Sequence, residues 1–172
     1  ALHKDRYQKT KIISMIASAL KSESEPALKK PGPLNILLAE DNLLNGKLMT
    51  VLFAQLGITI QVAVNVLEAV EKIETDNYDV VLMDIEMPGM NGFEVTTRIR
   101  AQEGLEPWAW TPIIFVTATD THSNLVTAIE AGGDDFISKT VPENVLQAKM
   151  KAMSRIAAMR TRLCLANYKL QD

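Results

Sequence analysis

Five side chains of this chain could do chemistry together: the carboxylates of Glu40, Asp41 and Asp84, the hydroxyl of Thr117 and the ammonium of Lys139. Each follows a short apolar run, such as Ile36-Leu37-Leu38, Val80-Val81-Leu82-Met83 or Ile113-Ile114-Phe115-Val116. Three carboxylates sharing a pocket repel each other and raise each other's pKa unless a cation joins them. A hard divalent ion such as Mg²⁺, with Mn²⁺ as a substitute, prefers oxygen ligands and usually takes one or two carboxylates. Such an ion would screen the charge on Asp84 and let it attack the phosphorus of an anionic donor, since carboxylates can form aspartyl phosphates. Thr117 and Lys139 would then offer a hydrogen bond and a positive charge to the phosphoryl oxygens. Ala118 is small and leaves the approach to Asp84 open.

For these residues to meet, the runs before them must be adjacent strands. The pattern from Leu34 to Lys139 predicts strands at Asn35–Ala39, Ile58–Ala63, Asp79–Met83, Pro112–Val116 and Asp135–Ser138. Helical stretches alternate with them near Asn45–Leu56, Val66–Thr75, Gly92–Glu103 and Ser123–Ala131, with Gly57 and Gly132 as stop signals. Continuous apolar runs without alternation indicate strands buried on both faces, as in a parallel sheet. Five such units in roughly 110 residues predict an α/β doubly wound five-stranded parallel sheet with helices on both faces. Ligands of such folds bind beyond the carboxyl ends of the strands, where the five residues stand. No Gly-x-Gly-x-x-Gly follows the first strand and no Gly-Lys-Ser/Thr loop occurs, which argues against dinucleotide and P-loop nucleotide sites.

Four segments carry a family resemblance: Ile36–Asn42 (ILLAEDN), Val81–Gly92 (VLMDIEMPGMNG), Val116-Thr117-Ala118 and Phe136-Ile137-Ser138-Lys139. In order and spacing they resemble the receiver domain of two-component response regulators, over roughly residues 34–150. The resemblance implies the CheY-like strand order 2-1-3-4-5 and Asp84 as phosphoacceptor. It implies Glu40 and Asp41 as the acidic pair, with Asp41, Asp84 and the backbone carbonyl of Glu86 as direct ligands of Mg²⁺. Thr117, with Ala118 beside it, and Lys139 take the switch and phosphate-pairing roles, and Phe136 matches the aromatic position that packs inward when Thr117 moves. The side chain of Glu86, two residues past the acceptor, flanks the path of attacking water and would modulate the lifetime of the phosphorylated form. A histidine kinase or phosphotransfer protein is the implied donor.

Three departures stand out. The residue after the family's Lys is usually Pro, often behind a cis peptide, but here it is Thr140, with Pro142 two further on. Either the Lys139–Thr140 bond is trans and the loop differs, or packing holds a non-proline cis bond that costs roughly 2.5–4 kcal/mol. Asn65-Val66 replaces a frequent Asn-Gly, which predicts a reshaped turn. Leu105–Thr111 (LEPWAWT) lengthens the loop before the fourth strand, with Trp108 and Trp110 as either a contact surface or cover for the local core. Two other functions compete. A haloacid-dehalogenase-type phosphatase also works through an aspartyl phosphate, but needs a second Asp where Glu86 stands. A pseudo-receiver that only binds partners is disfavoured by the intact acid, Thr and Lys set.

Composition bounds the rest. The 172 residues are 47% apolar and 23% charged, as in ordinary globular proteins. A lone Cys164 rules out an internal disulfide framework and suits a reducing compartment. No run approaches the roughly 20 apolar residues of a membrane helix, and the N-terminus lacks a signal peptide's apolar block and small-residue cleavage site, so the expectation is cytoplasmic, without a membrane partner. Ala1 is not a start Met, which suggests a processed or excised chain. The net charge of −3 divides into basic ends, seven Lys/Arg against three acids in 1–32 and six against one in 149–172, and a strongly acidic middle. That middle carries no basic footprint for nucleic acid. His3 and His122 read as surface residues, and the eight Met as core filling and helix seams.

The division expected is an N-terminal helix (5–20) and linker within 1–33, a receiver core at 34–141, and an extended final helix at 142–172. In that helix Ala152, Ile156, Met159, Leu163, Ala166 and Leu170 are spaced 4, 3, 4, 3, 4, a heptad seam. A helix of about 30 residues spans about 45 Å, more than is needed to cover the sheet. The excess is expected to pair, most simply with a second copy in a parallel coiled coil; the alternative is a solvent-exposed linker. In the receiver family such helices often lead to a nucleotide cyclase (GGDEF-type) or phosphatase output, here absent. The N-terminal segment equally suits the tail of a preceding domain, as in a hybrid histidine kinase.

Overall fold

Why the chain folds into layers is visible in its strands. The computed structural model describes residues 34–89, 91–104, 110–118 and 122–171; the expected N-terminal helix and linker, and Trp108, lie outside them. Five strands, β1 (Ile36–Ala39), β2 (Ile60–Ala63), β3 (Val80–Asp84), β4 (Ile113–Thr117) and β5 (Asp135–Ser138), alternate with helices α1 (Leu43–Gln55), α2 (Val66–Thr75), α3 (Gly92–Glu103), α4 (His122–Glu130) and α5 (Glu143–Gln171). All pairings are parallel, as the apolar runs predict, and the order is β2-β1-β3-β4-β5, as the family resemblance implies. The central strands β1, β3 and β4 are buried throughout, whereas edge strands β2 and β5 are partly exposed. This explains the unbroken apolar runs: a strand covered on both sides has no face for polar residues.

Successive strand residues feed two cores, because side chains alternate across a strand. Ile36, Leu38, Val80, Leu82, Ile114 and Val116 face α1 and α5, where Met49, Phe53, Leu146, Met150, Met153 and Ala157 complete the layer. Leu37, Ala39, Val81, Met83, Ile113 and Phe115 face α2, α3 and α4, against Ala69, Ile73, Val95, Ile99 and Ala128. The edges of the elements follow local chemistry. Asn42, Asn65 and Asn91 cap α1, α2 and α3 by accepting backbone N–H bonds in the first turn. At the Asn65 turn, Glu68 also reaches back to the Val64 amide (3.0 Å), so a reciprocal cap stabilises the turn that lacks glycine. Gly57 and Gly132 stop α1 and α4 with φ of 74° and 98°, a region that L side chains avoid.

Boundaries differ from expectation by a residue or two. Asp84 and Thr117 are the last residues of β3 and β4 rather than the first beyond them, because parallel pairing carries through Asp84↔Val116 and Thr117↔Ser138. The larger difference is in α5. A second stripe that the heptad reading did not single out, Leu146, Met150, Met153, Ala157, Arg160 and Cys164, stays buried to residue 164. Arg160 lies against the strand-start edge, donating to the carbonyl oxygens of Tyr78 (2.8 Å) and Trp110 (3.0 Å). The heptad seam lies on another face: Ile156, Met159, Leu163, Ala166 and Leu170 are exposed and Ala152 is half-buried. Trp110 belongs to a local network, with Arg100 stacked 3.5 Å over its ring and its Nε1 donating to Asp134. No helix among the described residues is long and apolar enough to cross a membrane.

Candidate functional site

Parallel pairing sets the site. Because β1 lies beside β3, and β3 beside β4, the residues closing these strands emerge at one edge as neighbours. Glu40, Asp41 and Asp84 each offer a carboxylate oxygen, and the three lie within 4.8 Å of one another. Glu40 and Asp84 are almost wholly buried (2% and 3% exposed), while Asp41 is half-buried at the mouth. Lys139 Nζ closes the cluster, 2.8 Å from Glu40 Oε2 and 3.5 Å from Asp84 Oδ1.

Backbone amides orient both buried carboxylates. Asn42 N donates to Glu40 Oε1 (3.1 Å) while the Asn42 side chain caps α1, so one residue starts the helix and aims the acid. Glu86 N donates to Asp84 Oδ1 (3.3 Å). The loop after β3 folds back closely, with Gly92 N on the Ile85 carbonyl (3.0 Å). A Cβ on Gly92 would collide with the Asp84 carbonyl and the Met83 side chain, so only glycine allows this approach.

The electrostatics follow from burial. Desolvation, then repulsion from Glu40, raises the Asp84 pKa from 3.8 to about 6, although Lys139 and the Glu86 amide pull the other way. For Lys139, burial lowers the pKa, but the hydrogen bond to Glu40 and the charges of Asp84 and Glu40 outweigh it and leave it raised. A buried carboxylate cluster with one ammonium is short of positive charge, and its donors are all oxygen. That set fits a hard divalent cation.

Of the remaining expected residues, Thr117, Ala118 and Glu86 also lie at this edge. Thr117 is buried at the end of β4, and its carbonyl accepts from Lys139 N (2.7 Å). Ala118 and Glu86 are exposed. Phe136 is half-buried, packed against the core on the α2–α4 side. The seam residues of α5 lie on that helix, outside the cluster. Sequence reasoning passed over two features. One is the hydroxyl pair in the turn after β5, where Ser138 Oγ and Thr140 Oγ1 are 2.9 Å apart; of the two expected alternatives for the Lys139–Thr140 peptide, the trans form is present. The signal was the pair of hydroxyls flanking the lysine where proline is usual. The other is Arg160, whose signal was a basic residue inside an otherwise apolar 4-3 stripe.

Comparison with known proteins adds relatives to this geometry. The family model described as the response regulator receiver domain matches residues 36–151. Hybrid signal transduction histidine kinase G of Dictyostelium discoideum is 41% identical over 108 residues, which are 62% of this chain and 3% of that protein. Transcriptional regulatory protein TcrA of Mycobacterium tuberculosis is 30% identical over 122 residues, 71% of this chain and 46% of that protein. The chain thus spans less than half the length of either relative. Among solved structures, the receiver domain of sensor histidine kinase PA1611 from Pseudomonas aeruginosa is 29% identical, with a TM-score of 0.62 over 72% of this chain and 98% of that one. It holds a magnesium ion in its active-site cleft. The BeF3-activated receiver domain of Klebsiella pneumoniae RstA is 30% identical, with a TM-score of 0.62 over 70% of this chain and 98% of that one.

Proposed function

The chain belongs to the response regulator receiver domain family, and on that premise we propose that Asp84 is its phosphoacceptor, charged by a histidine kinase or phosphotransfer protein. Receivers are switches of two-component signalling and not enzymes in the usual sense. The observation that carries the assignment is the carboxylate trio within 4.8 Å, closed by the Lys139 ammonium. An Asp84 carboxylate oxygen attacks the phosphorus of the donor's phosphohistidine. The oxygen–phosphorus bond forms as the phosphorus–nitrogen bond breaks, and the departing imidazole nitrogen keeps its electron pair. Asp41, Asp84 and the Glu86 carbonyl would hold Mg²⁺ or Mn²⁺, with Glu40 alongside. When bound, the ion neutralises the carboxylates and the phosphoryl oxygens.

Lys139 supplies a charge-assisted hydrogen bond to one phosphoryl oxygen, and the Thr117 hydroxyl supplies another. Ala118, small and exposed, leaves the entrance open. Movement of Thr117 toward the phosphoryl group makes room for Phe136 to pack inward, which carries the change to the β4–β5 side. The Glu86 side chain sits two residues past the acceptor and modulates attack by water. The reading extends to a homodimer through Ala152, Ile156, Met159, Leu163, Ala166 and Leu170, whose geometry would control an output domain such as a GGDEF-type cyclase or phosphatase. The setting is cytoplasmic, with neither nucleic acid nor membrane as a partner of this segment.

The test is intact mass after incubation with acetyl phosphate and Mg²⁺, beside Asp84→Asn and metal-free controls. One added phosphoryl group, absent from both controls, is expected. No addition, in folded protein that also fails to bind beryllofluoride, would establish the pseudo-receiver instead. A second setting, the receiver segment of a hybrid histidine kinase, is favoured by the 41% identity to one such kinase.

A further inference from the structure

We propose that Ser138 and Thr140 form a hydroxyl latch that positions Lys139 for its contact with the phosphoryl group. The proposal rests on the receiver reading of Asp84 and concerns how this chain holds its lysine. Lys139 stands at a corner of a tight turn. Val141 N donates to the Ser138 carbonyl (3.0 Å), which closes a four-residue turn with Lys139 and Thr140 in its middle. Ser138 Oγ accepts from Thr140 N (3.2 Å) and lies 2.9 Å from Thr140 Oγ1, so a side-chain turn is laid over the backbone one.

Both ends of this turn are anchored. Upstream, Lys139 N donates to the Thr117 carbonyl (2.7 Å), and Ser138 pairs in register with Thr117. Downstream, the Pro142 carbonyl accepts from Leu146 N (3.0 Å) in the first turn of α5, and Leu146 is fully buried. The lysine side chain leaves from between the anchors and must bring Nζ to Glu40 at 2.8 Å and Asp84 at 3.5 Å. A flexible four-carbon stem gives no directional control of its own. The direction has to come from the backbone beneath it.

A proline at position 140 would set φ by its ring and have no N–H to donate. Thr140 leaves φ free, and its N–H is present and used by Ser138. With a trans Lys139–Thr140 bond, hydrogen bonds supply the restraint that a ring would otherwise supply. Thr140 is exposed and Ser138 half-buried, so water competes for the latch and its contribution is modest rather than essential to folding.

The experiment compares wild type with Thr140→Val, Ser138→Ala and the conservative Thr140→Ser. The first readout is acylation of Lys139 by an amine-reactive ester in metal-free protein, followed by peptide mass spectrometry. Thr140→Val and Ser138→Ala are expected to acylate Lys139 several-fold faster, with Thr140→Ser at the wild-type rate. The second readout is the rate of phosphorylation against acetyl phosphate concentration with Mg²⁺. The maximal rate is expected to fall about five- to tenfold in Thr140→Val, the scale of one hydrogen bond, with Mg²⁺ affinity unchanged. In a Lys139→Met background the same substitution is expected to change nothing further, because the latch acts through the lysine. Equal acylation in all variants overturns the latch whether or not phosphorylation occurs. An unchanged maximal rate, or an equal loss in the Lys139→Met background, overturns its role in transfer. A wild type that takes no phosphoryl group overturns the receiver reading and leaves the acylation result to decide the latch.

Discussion

The Asp84 carboxyl is harder to ionise in the fold than in an exposed chain, yet near neutral pH it is still mainly the carboxylate that its chemistry needs. With its pKa at about 6 against 3.8 in an exposed acid, folded protein keeps a proton that unfolded chains have already released in that interval. This group's support for folding is complete below about pH 4 and is lost as pH rises through about 6, on the order of 3 kcal/mol in total. Asp84→Asn does not titrate. Metal-free wild type is therefore expected to match that variant near pH 4 and to be less stable by about 3 kcal/mol at pH 8. Urea unfolding of both proteins at the two pH values measures this, and a gap that narrows toward pH 8 would refute it. Millimolar Mg²⁺ at pH 8 is expected to close the gap, because an ion that binds only the folded site stabilises it.

At the scale of one element, α5 is the informative case. Two stripes spaced 4, 3, 4, 3, 4 run along it, offset by one residue or about 100° around the helix. The inner stripe ends in Arg160 and Cys164, and the Arg160 guanidinium bonds the carbonyls that precede β3 and β4. Those two strands end in Asp84 and Thr117, so one arginine grips the near ends of the strands that carry the site at their far ends. Arg160→Met would keep most of the apolar stem but leave two carbonyls without this donor. A loss of about 2–4 kcal/mol in urea unfolding is expected, with the phosphorylation rate of the folded protein unchanged. A variant as stable as wild type would mean that the helix is held by its apolar contacts alone.

For the whole molecule, the open question is what meets the outer stripe. Ile156, Met159 and Leu163 are 38%, 59% and 42% exposed and Leu170 is 84% exposed, on a helix already anchored by its other face. A second copy is the proposed occupant. Sedimentation velocity across a concentration series should then show self-association that Ile156→Glu with Leu163→Glu abolishes. Both positions are solvent-facing, so the double variant is expected to keep wild-type stability. A monomer at every concentration, phosphorylated or not, would exclude the dimer and leave the stripe to another partner.

Much of this was legible before any coordinates. Apolar runs two faces deep required a covered parallel sheet, and strand ends had to lie on one edge, so Glu40, Asp84, Thr117 and Lys139 could be grouped by residue type and order alone. The Gly stops were equally readable, since a positive φ depends on neighbours within a few residues. Other features depended on contacts far apart in the chain. The heptad arithmetic of α5 was the same for both stripes, and only packing against Leu38, Leu82 and Val116 decided which one turned inward. The role of Arg160 depended on the carbonyls of Tyr78 and Trp110, 82 and 50 residues away in the chain. The Asp84 pKa likewise belongs to the fold, because desolvation is a property of a place. Residue type and short-range spacing decided which groups reach the sheet edge, while long-range packing decided how buried, how charged and how firmly held they are.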